Sequence, residues 1–433
     1  LKAAMKKILI ASYFFPPCNI VAANRAQSFA DNFRRHGLHP IVVTRHWNGD
    51  ENSIPGYESE NLKPPVVTEF ENYTLIQLPF RAQLEKFYHR PFLKSGAGKL
   101  LLYTALYSAG TVNPKSNAFA CFYDYLVDYL SRNPVDYIFA TGFPMNTIKL
   151  GHRLSEKFNK PFIADFRDLW DNNLLSENYR PEAANRLQNV FYEIYLRKWL
   201  VSARLVTSVS QPLIDEIKRL APHAKTLVVR NGFEAELFAD MRKLYKSPLN
   251  KFVFSVIGTL KPNQDLSVML EGLKAFLADK NLKEIELNFV GTAEFIEVKE
   301  LIEKTLPHEC TKITERIPRE QAIRQMLESH VLFYAGWRGH RGVASGKIYE
   351  YLGAGRNILI APNDYDVIEQ IIKDTSAGEL ADTPAEFAKV LNNWFAEWKT
   401  TGKLAFTGKT EKIKNYTREK QAENLARAIL SLE

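Results

Sequence analysis

Residues Ser345 to Gly355 read SGKIYEYLGAG, an apolar helix that opens on Ser-Gly, carries Lys347 and Glu350 a turn apart, and closes on glycine. The first turn of a helix offers unpaired N–H groups and the positive end of the peptide dipole, and Gly346 lets an anion approach the backbone. Helical side chains lean toward the N-terminus, so Glu350 should hang over that first turn beside Lys347. A cation and open amides beside a carboxylate suit a phosphate joined to a sugar with free hydroxyls, which describes a nucleotide. The same letters also spell an ordinary amphipathic helix with a serine cap and a glycine stop.

Two other places hold chemistry. In ADFRDLWDNN, residues 164–173, strand alternation puts Asp165, Arg167 and Leu169 on one face and Phe166 and Asp168 on the other. Charges at the end of a buried strand must be paired or functional, and a structural Asp–Arg pair is the competing account. Near the start, KKILIAS runs into a Pro-Pro loop, then Asn19, then a helix with Asn24 and Arg25 in its first turn. Such a loop either lines a cleft or simply connects. A dinucleotide enzyme would want Gly-x-Gly-x-x-Gly here, and its absence argues against a dehydrogenase. VVRNGF, residues 228–233, ends on an Asn-Gly turn signal. Three scattered cysteines, Cys18, Cys121 and Cys310, make neither a disulfide framework nor a zinc site.

The elements that must position these residues alternate along the chain. KKILIAS (6–12), HPIVVTR (39–45), TLIQLPF (74–80), DYIFATG (136–142), KPFIADFRD (160–168), LVTSVS (205–210) and KTLVVRN (225–231) are expected strands. Helical patterns over 23–36, 118–131, 146–158, 181–202 and 211–220 lie between them. After a short basic segment at 242–251, read as a linker, the alternation restarts. FVFSVIG (252–258), EIELNFVG (284–291), CTKITER (310–316), VLFYAG (331–336) and NILIAPN (357–363) follow as strands. Runs apolar on successive residues mark parallel strands covered on both faces, so two doubly wound α/β domains are expected. A last amphipathic helix spans about 408–432.

Bulk properties fit a globular protein of two or three domains: 433 residues, 45% hydrophobic and 24% charged. No apolar run is long enough to span a bilayer, no secretory signal pattern appears, and the cytoplasm is the expected compartment. LKAA ahead of Met5 reads as an appended scar, with Met5 the expected native start. The net charge of +8 is uneven, because residues 1–250 hold 32 Lys and Arg against 23 Asp and Glu, and residues 251–433 hold 25 against 26. A basic half could face nucleic acid, an anionic membrane or a phosphorylated substrate, or be merely a solvated surface. Nucleic acid lacks any recognition motif.

With these pieces in place, the chain resembles glycosyltransferases of family 4. The resemblance rests on KKILIASYFFPP, RHGLHPIVVT, ADFRDLW, LVTSVSQPL, VVRNGFEAELF, FVFSVIGTL and SGKIYEYLGAG, in family order across nearly the whole chain, with DFRDLW marking a subgroup. It implies the GT-B fold, two Rossmann-like doubly wound domains facing a cleft. It further implies transfer of a sugar from a nucleotide donor with retention at the anomeric carbon, without a metal ion. The expected domains are 1–245 for the acceptor and 246–405 for the nucleotide sugar, with 406–433 packing back toward the N-terminal domain.

Carried over by position, Glu350 matches the glutamate that holds the ribose, and Ser345, Gly346 and Lys347 meet the diphosphate. Gly258 and Thr259 match the glycine loop after the first donor-domain strand, and Arg316 with Ile317 falls where the base-binding loop lies. The chain departs from the pattern at Gly342, where a first glutamate is usual, and at Thr259, where an arginine is usual. Lys261 or Lys347 then supplies that charge. Lys347, the amides of 345–347 and Lys261 would stabilise the leaving diphosphate, Asp165 would stand nearest the acceptor hydroxyl, and Arg167 would orient it or an acceptor phosphate. Asn19, Arg25 and Asp168 complete the expected acceptor side.

The expected function is thus a retaining transferase that uses a UDP- or GDP-sugar and no other cofactor. Its acceptor would be a glycan or lipid-linked sugar in surface polysaccharide or glycoconjugate synthesis. A catalytically weak GT-B module that binds nucleotide sugar or glycan in a larger assembly is the alternative. One segment lies outside the resemblance. Residues 81–103 interleave Arg81, Lys86, Arg90, Lys94 and Lys99 with Leu84, Phe87, Tyr88, Phe92 and Leu93. That mixture suits peripheral contact with an anionic membrane on its inner face, or a helical hairpin packed on the acceptor domain.

Overall fold

The computed structural model describes residues 5–18, 20–48, 59–81, 96–112, 116–171, 173–177, 180–181, 183–244 and 250–432. Asn19 and residues 82–95 lie outside them, and with these the expected acceptor-side role of Asn19 and most of the basic, aromatic segment. The chain divides into two compact units. Unit 1 holds Leu1–Leu174, Tyr179–Arg230 and Ala422–Glu433, and unit 2 holds Leu175–Asn178 and Asn231–Gln421.

Unit 1 is built on an eight-stranded sheet. Its strands are β1 (Lys6–Ser12), β2 (Leu38–Arg45), β3 (Val66–Glu69), β4 (Thr74–Leu78), β5 (Tyr137–Gly142), β6 (Phe162–Phe166), β7 (Ala203–Ser208) and β8 (Lys225–Val228). The spatial order is β3-β4-β2-β1-β5-β6-β7-β8, and all neighbours are parallel except β3 against β4. β5 and β6 are buried along their whole length, which is why they read as mostly apolar on successive residues, with Thr141 and Asp165 the buried polar exceptions. Strand order reverses between β1 and β5, so the loops after these two strands flank the crevice where such sheets bind ligands.

Unit 2 repeats the plan with β9 (Phe252–Ile257), β10 (Ile285–Val290), β11 (Thr311–Thr314), β12 (Val331–Tyr334), β13 (Asn357–Ile360) and β14 (Gly378–Leu380). These form an all-parallel sheet in the order β11-β10-β9-β12-β13-β14. Here the reversal lies between β9 and β12. The turn after β9 and the connection from β12 to the helix Gly346–Ala354 therefore meet at one end of the sheet.

All twelve expected strands form, each within a few residues of its expected ends. Two further strands, β3 and β14, lie on sheet edges, where short and partly exposed segments carry no apolar run to betray them. The unit boundary also differs from the expected one. The helix Ala235–Leu244 belongs to unit 2, because Phe238 and Met241 enter a core with Ile257, Tyr349 and Tyr351. The basic segment expected to link the domains instead joins that helix to β9, and the chain crosses at Arg230/Asn231.

The last expected helix is broken as well. A turn at Thr410–Ile413 and a 3₁₀ turn at Lys414–Tyr416 precede the helix Arg418–Leu430. At the break, Gly232 comes so close that a Cβ there would lie 2.7 Å from the Arg418 nitrogen and 2.9 Å from the Tyr416 oxygen. The Asn-Gly turn is thus a backbone contact that only glycine admits. Beyond the break, Ala422, Leu425, Ala426 and Ile429 join Ile8, Ile10, Phe29 and Phe139 in the core of unit 1.

Packing over β5 and β6 is equally tight. Gly151 sits in the helix Asn146–Phe158, and a Cβ there would stand 2.3 Å from Phe162 Cε2 and 2.8 Å from Ala140 Cβ. Alanine at 151 adds roughly 1 kcal/mol of helix propensity but forces a clash typical of overpacked cores, so Gly151→Ala should lower stability by a net ~2 kcal/mol. Urea denaturation of the purified chain measures this, and an unchanged or raised midpoint would count against so close a contact.

Candidate functional site

The candidate corner of unit 2 begins with a glycine whose Cβ position is crossed by a lysine side chain. Gly258 follows β9 with φ +93°, its N–H donates to Val290 O at 2.6 Å, and a Cβ there would meet Lys347 Cε at 2.7 Å. Gly291, after β10, has φ +75°, and its Cβ would lie 3.3 Å from Gly258 Cα. Backbone packs on backbone, and the stem of Lys347 runs through the space. The Lys347 ammonium donates to Thr259 O at 2.7 Å.

The helix start above this loop is open. Ser345 is its extended N-cap, but the serine side chain caps nothing. Its N–H donates to Tyr334 Oη at 3.2 Å. A Cβ at Gly346 would meet nothing within 4 Å. Glu350 stands one turn on, its carboxylate 3.5 Å from Arg319 Nε. Arg319 in turn reaches Glu234 at 3.2 Å, and Arg418 pairs with Glu234 while donating from Nε to Gly232 O at 3.1 Å. Burial pushes the Glu350 carboxyl above the usual carboxylate range, with Arg319 and Arg418 opposing the rise. Lys347 is lowered to about 8, chiefly by burial and further by Arg316 and Lys261.

Thr259, Arg316 and Glu294, from the loops after β9, β11 and β10, form a second layer beside Lys347. Thr259 Oγ1 donates to Glu294 Oε2 at 2.7 Å, and Arg316 Nη2 donates to the same oxygen at 2.7 Å. Arg316 thus reaches back to the β9 loop, while Ile317 packs against the core. Lys261 Nζ lies 5.8 Å from the centre of the Trp337 ring, and His340 meets that ring edge-on at 5.3 Å. Gly342 has φ +80°, and its N–H donates to the Asp366 carboxylate. A left-handed backbone disfavours any residue with a side chain, which is a local reason for glycine where the resembling family has glutamate. Residues 175–177 clasp this loop, since Glu177 N–H donates to Gly339 O at 2.9 Å and Arg341 N–H to Leu175 O at 3.1 Å.

Sequence reasoning missed Glu234, Glu294 and Arg319. Glu294 and Arg319 lie a few residues beyond the carboxyl ends of β10 and β11, and that placement was the signal available. Glu234 follows the Asn-Gly turn, and nothing in the sequence marks its partners.

In unit 1 the strand-end charges sort differently from expectation. Asp165, expected nearest the acceptor hydroxyl, is fully buried. It accepts from Arg25 Nε at 2.9 Å, Arg25 Nη2 at 2.6 Å, Thr141 Oγ1 at 2.8 Å and Thr207 Oγ1 at 2.6 Å. Arg25 completes its fork by donating from Nη1 to Val229 O at 2.8 Å. Four donors occupy the carboxylate, so Asp165 and Arg25 form the structural pair and neither faces a substrate. Arg167 and Asp168 lie past the end of β6, partly exposed and paired with each other, Nε to Oδ2 being 2.7 Å.

Removing the carboxylate would leave the Arg25 charge buried without its partner, which in such pairs costs about 3–5 kcal/mol. Asp165→Ala should therefore shift the urea midpoint strongly downward. A loss below roughly 1 kcal/mol, the range of exposed pairs, would contradict this burial.

No family model and no curated protein matches the chain. Solved structures do. The sucrose-phosphate synthase of Thermosynechococcus elongatus is 16% identical with TM-score 0.55, over 98% of this chain and 94% of that one. The UDP-forming α,α-trehalose-phosphate synthase of Burkholderia xenovorans, in complex with glucose-6-phosphate, is 10% identical with TM-score 0.61, over 98% of this chain and 100% of that one. The E. coli trehalose-6-phosphate structure bound with UDP-2-fluoro glucose is 12% identical with TM-score 0.56, over 98% and 96%. These neighbours are GT-B glycosyltransferases, and the likeness is one of fold: two Rossmann-like, doubly wound units of the GT-B class.

Proposed function

We propose that the chain is a retaining, family 4-like glycosyltransferase that moves a sugar from a UDP- or GDP-sugar to a glycan or lipid-linked acceptor in surface polysaccharide or glycoconjugate synthesis. One arrangement carries this reading. The open helix start at Gly346, the Lys347 ammonium on the Gly258 loop and the Glu350 carboxylate share the end of the sheet where β9 meets β12. Doubly wound sheets bind nucleotides at that place. The glucose-6-phosphate and UDP-2-fluoro glucose in two neighbours support a nucleotide-sugar donor and a sugar acceptor.

In this reading Glu350 releases Arg319 and accepts from the ribose hydroxyls. The bond from the anomeric carbon to the diphosphate breaks while the acceptor oxygen bonds to the same face, and the acceptor's proton passes to the departing phosphate oxygen. Lys347, the amides of residues 345–347 and Lys261 stabilise the charge that grows on the diphosphate, at a site organised beforehand. No protein nucleophile is required, and these cations do what a metal ion would otherwise do. Arg167 and Asp168 are the acceptor-side groups, whereas Asp165 acts only by holding Arg25. The protein would work in the cytoplasm with peripheral contact to an anionic membrane through 81–103. Among the described residues no helix is long and apolar enough to cross a membrane.

Turnover is the experiment that tests the enzyme reading. Purified protein should hydrolyse or transfer from one nucleotide sugar in a panel of UDP- and GDP-sugars, and tight binding with no turnover of any donor would leave only a binding module. Losing hydrogen bonds to a charged group costs about 1.5–3 kcal/mol, so Glu350→Ala should weaken UDP or GDP binding roughly ten- to a hundredfold. Calorimetry with a check of the thermal midpoint reads this, and unchanged affinity would end the ribose assignment.

The pH dependence has a sign at each limb. Bound diphosphate favours the Lys347 ammonium, so the complex holds more protons than the free protein, and affinity should fall as pH rises through about 8. Burial raises the Glu350 carboxyl, so its protonation should weaken ribose binding at a pH above that of an ordinary carboxylate. Calorimetric titrations from pH 4 to 9.5 should show affinity falling toward both ends, and affinity flat across pH 7–9.5 would exclude Lys347 from the site.

A further inference from the structure

Glu294 is a single carboxylate standing among cations. Its Oε2 takes hydrogen bonds from Arg316 Nη2 and Thr259 Oγ1, both at 2.7 Å, and Lys261 adds to the positive field around it. The Lys347 ammonium holds the carbonyl of the same Thr259 at 2.7 Å, so Glu294 and Lys347 grip one residue from its side chain and its backbone. Arg316, Lys261 and Lys347 thus gather around Glu294 beside the loop that follows β9, and Glu350 is the second carboxylate acting on Lys347. A singly charged carboxylate leaves that corner with excess positive charge, and a diphosphate offers more charge and more acceptor oxygens.

The position of Arg316 sharpens the point. Chain position puts it two residues beyond β11, in the corner expected to hold a base. Its guanidinium instead folds back across Gly291, where a Cβ would lie 3.6 Å from Arg316 Cγ, and ends on Thr259. The Arg316–Glu294 pair is exposed, with side chains 68% and 42% accessible. Exposed ion pairs are weak, so another anion can exchange for this one readily.

We propose that Arg316 is a ligand of the donor's diphosphate and that Glu294 is its internal competitor, a carboxylate that the diphosphate displaces from Arg316 and Thr259. Arg316 then belongs to the phosphate end of the site and not to the base end. Glu294 raises the threshold for binding any anion there, so only a ligand of higher charge than a carboxylate takes the place. This rests on the nucleotide-sugar reading above.

The test uses the full chain and titrates inorganic pyrophosphate, UDP, GDP, uridine and guanosine into wild type, Arg316→Gln and Glu294→Gln. Both side chains are exposed, and equal thermal midpoints confirm that the variants fold. Arg316→Gln should weaken pyrophosphate and the bound nucleotide about tenfold while leaving the nucleoside alone, as expected for one lost charge-assisted bond. Glu294→Gln should tighten both phosphate ligands by about one and a half- to fivefold, the range of an exposed ion pair. An Arg316→Gln chain that loses nucleoside and keeps pyrophosphate would return Arg316 to the base corner. Weaker pyrophosphate in Glu294→Gln would make Glu294 a positioning residue, and either result overturns the proposal. Wild type that binds neither nucleotide nor pyrophosphate overturns the nucleotide-sugar reading itself, whereas nucleotide binding unmoved by both variants overturns this inference alone.

Discussion

The contact on which unit 2 turns is an ammonium held against a backbone carbonyl at the end of a parallel sheet. Lys347 reaches Thr259 O through the place a Cβ on Gly258 would take, and Gly291 packs so near that its own Cβ would lie 3.3 Å from Gly258 Cα. Burying an amine disfavours its charged form, which is why the Lys347 pKa drops to about 8. A group in that state gains most from an anion that arrives with its own charge. Strand order, glycine backbone and perturbed lysine thus form one chain of cause, from β9 and β12 to the open start of the helix Gly346–Ala354.

Unit 1 shows the opposite use of a charge at a strand end. Asp165 and Lys347 both sit where parallel strands finish, yet Asp165 is walled in by Arg25, Thr141 and Thr207. The carboxylate has no lone pair left for chemistry. Its pairing instead ties β5, β6 and β7 to the helix Ala23–Asn32, and through Arg25 to Val229 just beyond β8. The pair Arg167–Asp168, one step further along the chain, is by contrast partly exposed.

Glycines at Gly232 and Gly342 show how backbone geometry limits what chemistry a position can carry. At Gly232 a neighbouring backbone fills the place of a side chain, and at Gly342 a left-handed φ penalises one. The loop around Gly342 therefore offers Trp337 and His340 rather than a carboxylate at position 342. The Arg319–Glu234–Arg418 chain of ion pairs, meanwhile, links Glu350 to the turn at Gly232, so a site residue and a structural turn share their electrostatics.

Much of the architecture was legible because it rests on local chemistry. Buried parallel strands read as apolar on successive residues, so β1, β5, β9 and β12 announce themselves, and the helix opening on Ser-Gly with Lys347 and Glu350 forms where its pattern places it. What the sequence could not decide are matters of partnership between distant segments. Whether Asp165 meets substrate or Arg25 depends on a helix 140 residues away. Edge strands β3 and β14 depend on neighbours that lend them hydrogen bonds, and the helix Ala235–Leu244 joins unit 2 only because the core around Tyr349 and Tyr351 receives Phe238. Arg316 follows β11 in the chain, but its guanidinium is claimed by Thr259 and Glu294 from two other loops. Periodicity and turn chemistry are properties of neighbouring residues, whereas ion-pair choice and burial are set by the whole fold, which alone brings the competing partners within reach.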